Sequence, residues 1–94
     1  MKGIWEGEQC FFCGSTRWLE RHHIFQGANR GRSEMDGFVV TLCHYCHNEP
    51  PDGVHHNKGR RDELKRMAQA RYEGEHSRDE FMSQYGRNYM EDEQ

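Results

Sequence analysis

Two Cys-x-x-Cys pairs, Cys10 with Cys13 and Cys43 with Cys46, account for all four cysteines of the chain. Thiolates at that spacing grip one tetrahedral ion, and two such pairs complete a closed four-sulfur site of the structural zinc kind. His47 directly follows the second pair, so whatever fixes Cys46 also fixes an imidazole one residue along. The chain has seven histidines, and six of them (22, 23, 44, 47, 55 and 56) lie within residues 22–56. His22 and His23 sit in a stretch that reads as a strand, where neighbouring side chains diverge, so one is free to face a metal and the other a substrate. His47 and His55 flank Pro50-Pro51-Asp52-Gly53, a turn that can fold His55 back beside His47. Three imidazoles with open coordination positions describe a catalytic metal site more than a structural one. His44, inside the second pair, and His76, ahead of Ser77, are expected at the surface.

These residues need elements to hold them. Gly14 suits the turn in which backbone amides point toward sulfur. Residues 18–25 are rich in aromatic and β-branched types and read as a strand. Residues 26–37, punctuated by Gly27, Asn29, Gly31, Asp36 and Gly37, read as a polar loop carrying Arg30 and Arg32. Residues 38–42 form the clearest strand and run straight into the second cysteine pair. A short helical turn after His47 must end at the prolines. Leu64, Met67, Ala68 and Tyr72 fall at helical spacing and predict a helix over 61–73. Ser77 and Glu80 form a capping box for a second helix over 78–85, closed by Gly86, with Phe81, Met82 and Tyr85 as its docking face. Residues 1–9 read as a polar leader pinned by Ile4 and Trp5, and 91–94 as a frayed tail. The expectation is therefore one small α+β domain: a metal-stapled core over 10–57 with helices over 58–90.

Ninety-four residues, a third of them hydrophobic, bury only a modest core, which favours a metal staple. No apolar signal segment or membrane-spanning run is present, so a reducing cytoplasm is expected, where paired cysteines bind metal more often than they oxidise. A disulfide-stapled secreted domain is the alternative that four cysteines leave open. The net charge of −3 argues against a nucleic-acid coat protein, yet the charge is polarised. Within 58–71 stand Lys58, Arg60, Arg61, Lys65, Arg66 and Arg71 against only Asp62 and Glu63, a basic face that can meet phosphates.

A Cys-x-x-Cys, a histidine doublet at a strand end, and a strand leading into Leu42-Cys43-x-x-Cys46-His47 together resemble the HNH endonucleases, whose fold is a ββα-metal (His-Me) finger. The resemblance covers roughly residues 10–57. The Gly-Ala-Asn-Arg, Ser-Glu-Met-Asp-Gly, Gly-Val-His and Tyr-Gly-Arg-Asn-Tyr-Met segments are similar to those of small phage-encoded members. It implies His22 as a metal ligand, His23 as general base, His47 as the motif's final ligand and His55 as a further one, with His56 the alternate. It also implies structural Zn²⁺, a catalytic divalent cation such as Mg²⁺, Mn²⁺, Ni²⁺ or Zn²⁺, DNA as partner, and a place in the host cytoplasm, as a homodimer or within a phage packaging or replication complex. One position departs from the pattern. Phe38 stands where the family's middle Asn holds the base-bearing loop, and Asn29 or Asn48 would have to substitute.

The chemistry is coherent on the residues themselves. A divalent ion on imidazoles can neutralise the leaving 3′ oxygen of a phosphodiester, and a neutral histidine can take a proton from water. Arg21, Arg30 or Arg32 would meet the charged phosphate, with Lys58, Arg60, Arg61 and Lys65 tracking the backbone. The competing reading is a non-catalytic zinc-finger module that binds nucleic acid or a phage packaging or replication protein, to which Phe38 and the acidic total charge point.

Overall fold

Branched and apolar residues build strand β2 (Val39–Cys43), all five of whose residues are buried in the computed structural model, which describes residues 3–90. It pairs antiparallel with β1 (Leu19–His23) in a two-stranded sheet, Leu19 opposite Cys43, His22 opposite Val40 and His23 opposite Val39. The register therefore puts the first cysteine of the second pair at one end of the ladder and the histidine doublet at the other. Trp18, expected in the strand, lies outside it at φ +52° and is 78% exposed. The expected tail over 91–94 lies outside the described residues.

Residues 26–37 are not the open loop expected. A 3-10 turn (Gly27–Asn29) leads into helix α1 (Arg30–Met35). The glycines mark its borders, with Gly27 at φ +62° and Gly37 at φ +79°, while six residues are too few to show a helical period. Tertiary contacts hold it instead. The Ser33 hydroxyl is buried, donating to the Phe38 carbonyl at 2.6 Å and accepting from the Phe25 amide at 3.3 Å, and the Tyr85 hydroxyl bonds Asp36 at 2.5 Å.

Helix α2 (His44–Asn48) starts at His44, ahead of the turn expected after His47, so the second cysteine pair is itself a helix start. Its N-cap is the Cys43 sulfur, which accepts from the Cys46 amide at 3.5 Å. After the prolines a 3-10 turn (Val54–His56) leads to α3 (Lys58–Glu73). That helix begins before the expected residue 61 because Asn57 caps it, its side chain accepting from the Arg60 amide at 3.0 Å. Helix α4 (Arg78–Tyr85) has the predicted capping box of Ser77 and Glu80 and ends at Gly86, whose φ of +82° needs a residue without Cβ.

One apolar cluster joins these pieces: Val40 and Leu42 of β2, Leu64 and Ala68 of α3, Phe81 and Tyr85 of α4, with Phe25 and Phe38 between. Phe38 is 2% exposed and stacks on Trp5, so its position serves the core. The N-terminal segment is docked as well. Trp5 makes a parallel bridge to Val40, and the Ile4 amide donates to Gly37 at 2.7 Å. Among the described residues, no helix is long and apolar enough to cross a membrane.

Candidate metal centres

The four cysteines are free thiols whose sulfurs all lie within 4.8 Å of one another, close enough to hold one metal ion. Cys13 and Cys43, from different pairs, are 3.6 Å apart at sulfur. Four sulfurs around an ion with bonds of about 2.3 Å stand roughly 3.8 Å apart, whereas a disulfide needs about 2.05 Å. Both pairs are built alike: the Cys13 amide donates to the Cys10 sulfur at 3.5 Å, as the Cys46 amide does to Cys43. The first pair is tied to the sheet by the Phe11 amide, which donates to Thr41 at 2.9 Å. Gly14 at φ +79° closes the turn, its amide donating to the Cys10 carbonyl at 2.9 Å.

The thiols do not ionise alike. Burial works against the Cys10 thiolate, but amides of Cys43, Cys13 and Phe12 bring its pKa down to about 6. Burial, then the neighbouring thiols, pushes Cys46 up to about 12. Four adjacent thiolates therefore need a cation between them, and a dication at their centre supplies it.

The second cluster forms where β1, α2 and the 3-10 turn Val54–His56 meet. One ring nitrogen each from His22, His47 and His55 falls within a sphere of 4.8 Å mutual spacing, and His47 Nε2 and His55 Nε2 are 3.0 Å apart. His56 stands outside this set, so of the doublet it is His55 that the fold brings beside the other two imidazoles. His22 is 2% exposed, and its Nδ1 is buried with no hydrogen-bond partner among the described residues. Burial, then the adjacent His47 and His55, depresses its pKa to about 3, so the ring is neutral, the form that ligates metals. An unsatisfied buried imidazole nitrogen beside two further imidazoles fits a bound cation.

Glu20 orients this cluster, and sequence reasoning missed it. Its carboxylate accepts from His47 Nδ1 at 2.7 Å and Asn48 Nδ2 at 2.9 Å, and its other oxygen pairs with His44 Nδ1 at 3.0 Å. His47 therefore presents Nε2 toward His22 and His55, in the carboxylate–histidine arrangement that steadies metal-bound imidazoles. Glu20 stands two residues before His22, on the same face of the strand, which is the signal that would have found it.

His23 lines the same cleft as the three imidazoles. Its Nε2 is 2.7 Å from Glu34 Oε1 on α1. Neither Asn proposed for the middle-Asn role reaches it: Asn29 donates to the Tyr85 carbonyl and Asn48 to Glu20. The stitching of the loop after His23 to the segment before β2 falls to Ser33.

Of the seven candidate phosphate contacts, Arg30 is exposed and lines the histidine cleft. Arg21 also borders it, but its guanidinium lies between Glu6 and Glu34, each at 2.9 Å. Arg32 bonds Gln84. On α3, Lys58 pairs with Asp62 at 2.5 Å, Arg60 covers the Phe12 ring, Arg61 donates to the Val54 carbonyl at 2.9 Å, and Lys65 lies over Tyr89. Much of the basic face thus has work inside the fold. His44 and His76 are exposed, as their positions suggested, His44 between Glu20 and Glu49 and His76 stacked on Tyr72. Comparison with protein-family models, with curated proteins and with solved structures finds no match for the chain.

Proposed function

We propose that the protein is a metal-dependent endonuclease or nickase of the HNH type, acting on DNA, with β1, β2 and α2 as its ββα-metal core and the four cysteines holding a structural Zn²⁺. The observation that carries this reading is the convergence of His22, His47 and His55 in one cleft with His23 and Arg30. His22, His47 and His55 would hold a divalent cation such as Mg²⁺, Mn²⁺, Ni²⁺ or Zn²⁺, which supplies charge neutralisation for a phosphodiester and its leaving oxygen. His23 takes the proton of the attacking water, a step typically worth about 10²–10⁴-fold. Arg30, exposed and with no carboxylate partner among the described residues, meets a non-bridging phosphate oxygen. Contacts of this kind recognise backbone more than sequence, so weak base specificity follows. One such cleft per chain cuts one strand, so double-strand cleavage calls for a homodimer, successive nicks or a larger phage packaging or replication complex, at work in the host cytoplasm.

Supercoiled plasmid incubated with the zinc-loaded protein and each of the four ions tests this. Nicked product with at least one ion, reduced about 100-fold or more in His23→Ala, is expected. No cleavage with any ion, or cleavage indifferent to that substitution, overturns it.

The second reading, a non-catalytic zinc-finger module, is favoured by the internal engagement of Lys58, Arg60, Arg61 and Lys65. Metal counting separates the two. One tightly held zinc alone indicates the module, and a zinc plus an exchangeable ion lost in His22→Ala indicates the enzyme.

A further inference from the structure

We propose that Glu34 is a positioning residue for His23, holding its imidazole as the Nε2–H tautomer so that Nδ1 is the nitrogen that accepts the proton of water. The inference rests on the nuclease reading for its consequence and on the geometry of four side chains for its substance.

Glu34 projects from α1 to the end of β1, and both of its oxygens are used. Oε1 faces His23 Nε2 at 2.7 Å and Oε2 accepts from Arg21 Nη2 at 2.9 Å. Arg21 is held in turn by Glu6, through Nε at 2.9 Å and Nη2 at 3.1 Å. Glu6 belongs to the N-terminal segment, whose Gly7 amide donates to the Thr41 hydroxyl of β2 at 3.0 Å. The carboxylate thus has a fixed direction, set from outside the cleft. The Arg21 guanidinium, then His23, holds the Glu34 carboxyl down at about 2, so it is ionised throughout the range in which the protein would work.

An ionised carboxylate can only accept hydrogen bonds. A neutral His23 must therefore carry its hydrogen on Nε2 to satisfy the contact, which leaves the lone pair on Nδ1. The ring is nearly enclosed, its side chain 8% exposed, so it has little room to rotate out of this arrangement. In the reaction, a water proton passes to Nδ1 as its oxygen bonds to phosphorus. The phosphorus–O3′ bond breaks with its electron pair on O3′, and the resulting imidazolium faces Glu34. Arg21 then acts as the brace of this carboxylate, and Arg30 is left as the cation for the phosphate.

Glu34→Gln tests the assignment because the replacement has the same shape. Arg21 offers only donors, so the new amide turns its oxygen to Arg21 and its NH₂ to His23. His23 Nε2 must then accept, which moves the ring hydrogen to Nδ1 and blocks the proposed base. Ring nitrogens of histidine-labelled protein, observed by ¹⁵N–¹H correlation at about pH 8, above the ordinary histidine range, report the tautomer directly. Wild type is expected to show Nε2–H at His23 and Glu34→Gln to show Nδ1–H. Adding Arg21→Met to Glu34→Gln frees the amide to turn and should restore part of the Nε2–H form. In plasmid nicking, Glu34→Gln should lower kcat by about 10²–10⁴-fold with KM changed less than about threefold, and the double variant should recover at least about tenfold. Nδ1–H in the wild-type protein, or a His23 tautomer and kcat indifferent to Glu34→Gln, overturns the proposal. Should wild type fail to cleave with every ion, the nuclease reading fails by itself, while the ring nitrogens still decide whether Glu34 sets the tautomer.

Discussion

Each candidate ligand imidazole is governed by one carboxylate or by burial, and the two kinds of control predict different responses. Glu20 touches His47 Nδ1 at 2.7 Å without reaching the ion site itself. Glu20→Gln should weaken binding of the exchangeable ion by about 10–100-fold and leave the cysteine-bound zinc in place, as competition titration with a chromophoric chelator will show. Burial governs His22, and it gives the zinc-loaded protein an acid limb when the imidazoles carry no ion. The folded pKa of His22 lies near 3, below its ordinary 6.5, so the unfolded chain binds the proton first and stability is lost as pH falls from about 6.5 toward 3. Glu34 shifts in the same direction, from an ordinary 4.5 to about 2, so its contribution is present above about 4.5 and lost on further acidification. Thermal melts between pH 7 and 3 should fall throughout, with His22→Gln flattening the upper part of the dependence and Glu34→Gln the lower.

At the scale of elements, the turn between α2 and the 3-10 turn Val54–His56 decides whether His55 reaches His47. Gly53 closes it, its amide donating to the Glu49 carbonyl at 2.6 Å. A Cβ on Gly53 would stand 2.6 Å from the Glu49 nitrogen and 2.7 Å from its oxygen, both backbone atoms that cannot swing aside. Gly53→Ala should therefore push His55 away from His47 and weaken the exchangeable ion at least about tenfold, at a cost of about 1–3 kcal/mol in denaturant unfolding. The four-cysteine cluster should keep its own ion, since the atoms nearest the added Cβ belong to Asn48 and Glu49 and not to a cysteine.

Over the whole molecule, the cysteine cluster is the joint between sheet and cleft. Cys43 ends β2 and caps α2, and Cys46 and His47 are neighbours on that helix. An α2 of five residues has no stability of its own, so removal of the cation should release the helix start and with it His47. Stripping the zinc with a strong chelator is expected to abolish ordered ion binding by the imidazoles and to collapse the melting transition. Stripping only the exchangeable ion should shift the midpoint without loss of cooperativity, as circular dichroism on heating will distinguish. The N-terminal segment belongs to the same assembly, because Glu6 holds Arg21, and Arg21 holds the carboxylate that faces His23.

What could be read from residue order alone was what is local or strictly periodic. The Cys-x-x-Cys spacing, the β-branched run of β2, the Ser77–Glu80 capping box and the Gly86 stop each carry their cause within a few residues. The grouping of His22, His47 and His55 was legible too, because the strand, the cysteine pair and the Pro-Pro-Asp-Gly turn each constrain one imidazole. Folding across the chain decided the rest. Helix α1 exists through the buried Ser33 hydroxyl and the Tyr85 contact some fifty positions away, and a six-residue helix has no period to betray it. Glu20 and Glu34 look like ordinary surface acids in the sequence. They acquire their tasks only when the sheet register and α1 carry them to within 2.7 Å of an imidazole. The basic residues of α3 pointed the other way, for a charge run shows its sign in the sequence but not whether aromatic rings, carbonyls and carboxylates of the fold already occupy it.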